Sequence, residues 1–388
     1  MQGIPSQMYR DLQSICGLNT HPDNDSASRI QMLGSHLGQK LVFSGMNERR
    51  QQTGVEQEVG KYTFTVEMPV DARILKLIDR YNARGIGMHS IKLNPETAVI
   101  YEDKRTGEIG VLNLPTYGSY HPYFGFEYKQ REGMMQLKKD AHIEKGTVFL
   151  DTPGKTRHNN YMYGRELNVA FMSHPAVADD GIVISRDVLK YFTIKKYETR
   201  VIEWGKKKIP LNLYGNKDVY KPFPDIGDYV RADGILMALR SINGSLSPVQ
   251  QSVQDMMNVD FIFDKRVYAD GGGGRVIDIK IDTNGDFSAG LSPTDEQLEK
   301  YITETRRYYK EILSVVREVQ RARGEGMQLT PLLHRLVIDA LVATEDEKEG
   351  KITKLYRRSE LDTFRVEFTI EYEVVPTIGF KLTDCHGG

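Results

Sequence analysis

Cysteine is nearly absent: Cys16 and Cys385 are the two in 388 residues, and they lie far apart in the chain. Two such thiols exclude a disulfide scaffold and a cysteine-rich zinc site, and they suit a reducing compartment. Long apolar runs are missing too. No stretch approaches the ~20 apolar residues of a membrane span. The N-terminal MQGIPSQMYRDLQSICG has no basic region followed by an apolar one, so no secretory signal is expected. The chain reads as soluble and cytoplasmic. Net charge is also missing. The balance of 52 basic and 53 acidic residues leaves −1, which names no partner, whereas a free-standing nucleic-acid binder is more often basic.

Two short motifs are incomplete. GGGG at 271–274 lacks the Lys-Ser/Thr of a phosphate loop and reads as a flexible tip. DTNGDFS at 282–288 begins like a calcium loop but lacks glycine at its sixth position and has Pro293 where a glutamate belongs. An Asn-Gly turn between strands is the better reading there.

The length allows a large core and two or three domains. Glycine (35) and tyrosine (21) are frequent, and short β-like runs lie between turn signals. KYTFTVEMPV (61–70), TAVIYEDKRTGEIGVLNL (97–114) and FRVEFTIEYEVV (364–375) are predicted strands. The second holds a hairpin signature at Arg105-Thr106-Gly107, and the third alternates apolar and polar side chains with period two. Helices are predicted at 26–42, 292–323 and about 331–343. Ser292 and Pro293 suit the start of the second, and Asp295 lies near its positive dipole end. Its apolar seam is Leu298, Ile302, Tyr309, Ile312, Val316 and Val319, with a polar break at Thr305. The last two helices together suggest a hairpin rising from a β-rich body.

Charge is unevenly distributed. IKKYETRVIEWGKKKIP (194–210) is basic with interleaved aromatics, which suits either phosphate tracking or a lysine-rich strand edge. FMSHPAVADDGIVIS (171–185) places Asp179 and Asp180 just before the apolar run Ile182–Ile184, which reads as a buried strand. Adjacent carboxylates repel, so the pair marks either a solvated turn or a site for cations. Taken singly, Arg29 reads as a helix surface charge. His36 and Lys40 lie one turn apart and suit either nucleic acid or a solvated helix face.

Four stretches in order resemble the β subunit of multisubunit DNA-dependent RNA polymerases. HPDNDSASRIQMLGSHLGQK (21–40) is similar to the family's HDDANRALMGANMQRQ, and QQTGVEQEV (51–59) to VGTGMExxV. GRELNVAFMSHPAVADDGIVIS (164–185) is similar to GxNxxVAFMPWxGYNFEDSIxIS, and VVPTIGFKLTDCHGG (374–388) to IxxGDKMAGRHGNKG. DIGDYVRADGILMALR (225–240) stands where the family has a GDxVxxGDIL turn. Three departures stand out: Asp179 occupies a glutamate position, Cys385 an arginine position and Gly388 an asparagine position. The NADFDGD motif of the β′ subunit does not occur in this sequence.

The resemblance implies an α+β, β-rich fold: part of a double-psi barrel and hybrid-binding region, with an inserted flap. On that basis 1–205 would form the fork, hybrid-binding and partial barrel region. Residues 206–373 would form the flap, with its helical hairpin at about 292–343 projecting, and 374–388 would return to the barrel. It implies a split, phage-encoded subunit in host cytoplasm or virion, active as a nucleotidyltransferase only with other β-like and β′-like chains. Implied partners are also DNA template, RNA, nucleoside triphosphates and a promoter-specificity factor at the flap, with no membrane. Mg²⁺ is the implied cofactor, its principal ligands coming from a partner subunit. Asp179, Asp180 and Lys381 would be catalytic, with Asp180 reaching the metal directly or through water. Arg29, His36, Lys40 and His386 would bind nucleotide or nucleic acid. An adaptor that keeps the fold without the chemistry is the second reading, and a virion component unrelated to transcription the third.

Overall fold

Alternation of Phe364, Val366, Phe368 and Ile370 with Arg365, Glu367 and Thr369 builds the strand that organises the fold, with the apolar set buried on one face. The computed structural model describes residues 14–20, 22–61, 63–83, 91–178, 181–205, 207–241, 253–260, 262–283, 296–344 and 364–383. Asp179, Asp180, Cys385, His386 and the expected helix start at 292–295 lie outside them.

The chain is α+β and rich in strands. The main sheet is antiparallel and has five strands: β14 (Arg275–Thr283), β15 (Phe364–Val374), β10 (Ile194–Trp204), β6 (Phe124–Glu127) and β5 (Tyr117–His121), in that order. β10 and β15 pair along their whole length, from Ile194↔Val374 to Trp204↔Phe364. A second sheet runs β4 (Ile109–Pro115), β3 (Glu96–Asp103), β2 (Ala72–Asp79) and β8 (His142–Ile143). Two smaller sheets are β1 (Thr65–Glu67), β9 (Val148–Asp151), β7 (Lys129–Gln130) and β11 (Lys208–Pro210), β12 (Ile235–Ser241), β13 (Asp264–Tyr268). The hairpin at 105–107 joins β3 to β4, with Gly107 at φ 74° supplying the left-handed turn. Helices are α1 (Ala27–Gly38), α2 (Glu56–Lys61), α3 (Gly133–Gln136), α4 (Val253–Met256), α5 (Glu296–Arg323) and α6 (Pro331–Thr344). Among the described residues no helix is long and apolar enough to cross a membrane.

α5 joins two cores. Leu298, Tyr301 and Ile302 pack on the main sheet with Ile202, Trp204, Phe364, Val366, Phe368 and Ile370. Farther along, Tyr308, Ile312, Val315 and Val316 pack with Ile78, Ala98, Ile100, Ile109 and Val111 of the second sheet. The first end is fixed by Asp225, which is 1% exposed and accepts from Gln297 Nε2 (2.9 Å), the Tyr301 hydroxyl (2.8 Å) and Lys221 Nζ (2.8 Å). A buried carboxylate is tolerated because several donors meet it.

The helical pair therefore does not project, contrary to the sequence expectation. Ile109 N donates to Gln328 O (2.9 Å) and Thr330 N to Ile109 O (2.9 Å), stitching the α5–α6 connection to β4. The seam read from sequence is real, but it faces a sheet instead of a lone partner helix, so the packing crosses the expected boundary at 205. GGGG is likewise no loose tip. Val230 N donates to Gly274 O (2.7 Å), and a Cβ at Gly274 would strike the Tyr372 ring.

Ile312 is fully buried, so Ile312→Ala should cost about 2–5 kcal/mol in urea unfolding at an unchanged denaturant slope. Arg317→Ala, on the exposed side of α5, should stay within about 0.5 kcal/mol. Equal, small effects would contradict packing against the second sheet.

Candidate functional site

The four stretches singled out in the sequence are anchored on the body by separate contacts. α1 comes first. The Ser26 hydroxyl caps it by accepting from Arg29 N (3.4 Å), and Leu33 and Leu37 bury against Leu18 and Tyr161. Arg29 is exposed on this helix and His36 half-buried. Lys40, just past it, turns inward. Its ammonium donates to Met162 O and lies 3.7 Å above the Tyr161 ring, while the Tyr161 hydroxyl donates to Leu37 O (3.4 Å). Burial holds the Lys40 pKa well below its ordinary value.

The second stretch enters α2 through a capping box, Thr53-x-x-Glu56. The Glu56 carboxylate accepts from Thr53 N (2.7 Å), Thr53 Oγ1 (3.1 Å) and Gly54 N (2.9 Å). Burial pushes the Glu56 carboxyl up, but these donors together outweigh it and leave the group below its usual range. Tyr161 N donates to Glu56 O (3.1 Å), and Val55 and Val59 pack beside Tyr161 and Tyr163.

The third stretch leaves the body at Gly164, whose carbonyl accepts from Asn47 N (3.1 Å), while Glu166 N donates to Asn47 Oδ1 (2.9 Å). It returns through the 3₁₀ turn Arg186–Tyr191. Gly45 N then donates to Tyr191 O (2.8 Å) and Ser44 N to Thr193 O (3.0 Å), and Phe43 bridges Ile194 at the head of β10. Between these anchors the described residues 165–178 and 181–185 form an arm with no helix or strand. Phe171 is 99% exposed and Val183 58%, and Val169, Met172 and Ile182 are exposed as well. The expected buried strand at 182–184 is absent. Its apolar side chains have no layer of this chain over them, so an apolar run there does not become a core strand.

The fourth stretch starts from the same place. Val374 pairs with Ile194 and ends β15, and the chain then runs out through exposed Val375, Ile378 and Phe380 to exposed Lys381. Phe43, Ile194 and Val374 therefore lie side by side, and the fourth stretch starts on this rung, while the first two pack round Tyr161 and Tyr163. Arg29 and His36 are carried on α1 and Lys381 on the run after β15, whereas Lys40 serves the interior. Asp179 and Asp180 belong to the arm by sequence, and His386 follows Lys381.

Within the basic run of 194–210, the strand residues Lys195, Lys196 and Arg200 are paired within the chain. Lys195 meets Glu371 (2.9 Å), Lys196 meets Asp270 (2.6 Å), and Arg200 meets Asp270 (2.7 Å) and Glu198. That favours a structural strand over phosphate tracking. Among the described residues no three His, Cys, Asp or Glu side chains are grouped to hold a metal. Sequence reasoning also missed Gly45, Arg165 and Tyr191, which close the base of the arm. Contacts between residues so far apart in the chain leave no local pattern.

Comparison with protein-family models finds no match, and comparison with curated proteins finds none either.

The sign of the Lys40 effect is testable. Its folded pKa is depressed, so the unfolded chain binds more protons between that value and about 10.4, and stability rises with pH across the window. Wild-type chain should gain stability relative to Lys40→Met as pH rises toward about 10.4. Parallel pH–stability curves would show that the ammonium is not desolvated.

Proposed function

We propose that the chain is a β-like part of a multisubunit DNA-directed RNA polymerase, contributing to nucleotide and RNA–DNA hybrid binding and active only in complex. One observation carries this reading: four stretches that resemble that family's motifs occur in the family's order, the first two pack round Tyr161 and Tyr163 just before the third, and the fourth begins at Val374 beside Ile194. A second observation supports the need for partners. The described residues of the 167–185 arm and the run after Val374 both leave large apolar side chains exposed. A barrel of double-psi type, completed by strands of another chain, would cover them, and 206–373 would supply its flap.

In this reading Arg29 reaches the triphosphate, where a planar guanidinium matches phosphate oxygens, and Lys381 faces the RNA 3′ end as a compact charge. His386 and His36 lie along the nucleic acid. Lys40 anchors α1 from inside. Asp179 and Asp180 offer the hard oxygen donors that Mg²⁺ prefers, beside principal carboxylates from a β′-like partner. When bound, Mg²⁺ supplies activation of the 3′ hydroxyl and neutralisation of the triphosphate. Carboxylates near cations and cationic side chains near phosphates make one electrostatic site from distant parts of the chain.

Asp180→Asn and Lys381→Ala should each cut RNA synthesis by the assembled enzyme at least about tenfold while leaving assembly unchanged. Unchanged synthesis with both variants would reject catalysis and favour an adaptor that keeps the fold.

A further inference from the structure

The arm between residues 166 and 186 is closed at its base by a contact between two side chains that no motif predicts. Arg165, just before the arm, lays its guanidinium 3.7 Å from the ring centroid of Tyr191, just after it. The same guanidinium donates from Nη1 to Gly45 O (2.8 Å), and Gly45 N donates to Tyr191 O (2.8 Å). Three segments are thus locked in one small cycle: the outgoing chain, the returning chain and the strand-like stretch at 43–47. Gly45 makes the approach possible, since a Cβ there would strike the Tyr191 carbonyl and side chain.

The chemistry of this contact argues against simple packing. No carboxylate pairs with Arg165 among the described residues, and its buried Nε–H lacks a hydrogen-bond partner. A buried donor left unsatisfied is unfavourable, so the position is poor as a stabiliser alone. What the guanidinium supplies is geometric. A flat cation over an aromatic face, with an in-plane hydrogen bond, fixes two chain ends in distance and in angle. The arm beyond has no packing of its own to do so: Leu167, Val169, Phe171 and Met172 are exposed.

We infer that Arg165, with Tyr191 and Gly45, is a positioning device that sets the direction in which the arm leaves and rejoins the body; by sequence the arm carries Asp179 and Asp180. What the arm places rests on the polymerase reading; the clasp itself does not.

Two measurements separate these parts. In the full-length chain, with Cys16 and Cys385 replaced by serine, spin labels at Met32→Cys and Met172→Cys report the distance from α1 to the arm. Arg165→Ala should broaden that distribution, Gly45→Ala should do the same, and Arg165→Lys should restore part of it, with circular dichroism unchanged in all three. An unchanged distribution overturns the clasp. In the assembled enzyme, Arg165→Ala should raise the nucleotide KM and the Mg²⁺ concentration for half-maximal synthesis about tenfold or more, with Arg165→Lys intermediate. A broadened distribution with both parameters unchanged, in an enzyme that Asp180→Asn inactivates, overturns the positioning role and leaves the polymerase reading standing. Should Asp180→Asn also leave synthesis unchanged, the polymerase reading fails instead, and the distance result still decides the clasp.

Discussion

Ile194 is paired on both sides, with Val374 of β15 on one and Phe43 on the other. Backbone pairing at a sheet leaves little freedom, since neighbouring strands lie ~4.8 Å apart and a slip of one residue turns every side chain to the opposite face. The long β10–β15 ladder fixes this rung from behind. Phe192 beside Phe43, with ring centroids 5.0 Å apart, holds it from the front. The run that begins at Val374 leaves from this rung, and the 164–185 stretch returns to it through Tyr191 and Gly45.

The body of the molecule is well packed, and the two runs beside the rung are open. α5 spans two cores and is tied at its first turns by the buried Asp225 network. Buried charges such as Asp151 are met by Arg131 (2.6 Å) and Lys155 (3.0 Å). Phe171, Met172, Ile182, Val183, Ile378 and Phe380 are exposed, as are others such as Met135, Ile262 and Phe263. Exposed apolar patches mark candidate interaction surface. Stability in the body and openness at one end are complementary: the arms need no packing of their own if the rung beneath them is rigid.

Much of the fold could be read in the sequence where the signal is local. The period of two in 364–374, the hairpin at Arg105–Gly107 and the seam from Leu298 to Val319 each depend on near neighbours, and each is present. The failures depend on distant ones. An apolar triplet at 182–184 has the same pattern whether a strand covers it or a partner must. Lys40 reads as a surface charge because Tyr161 and Met162, which take its ammonium, are far off in the chain. The helical pair was legible as helices, but β4 beneath it was not legible as its floor. The strand expected over 61–70 shrinks to Thr65–Glu67, with a bulge after Val66 in its pairing with β9. Of the candidate site, the motifs were visible and their anchoring was not, since Tyr161, Tyr191 and Ile194, which hold them, are far off in the chain.

The measurement that tests the central claim most directly is purification of the tagged chain from its native source, followed by an assay of that material for Mg²⁺-dependent, template-directed RNA synthesis. A complex that includes an NADFDGD-bearing chain and makes RNA is the predicted result. A chain that purifies alone, or with partners that make no RNA on any template, would contradict it.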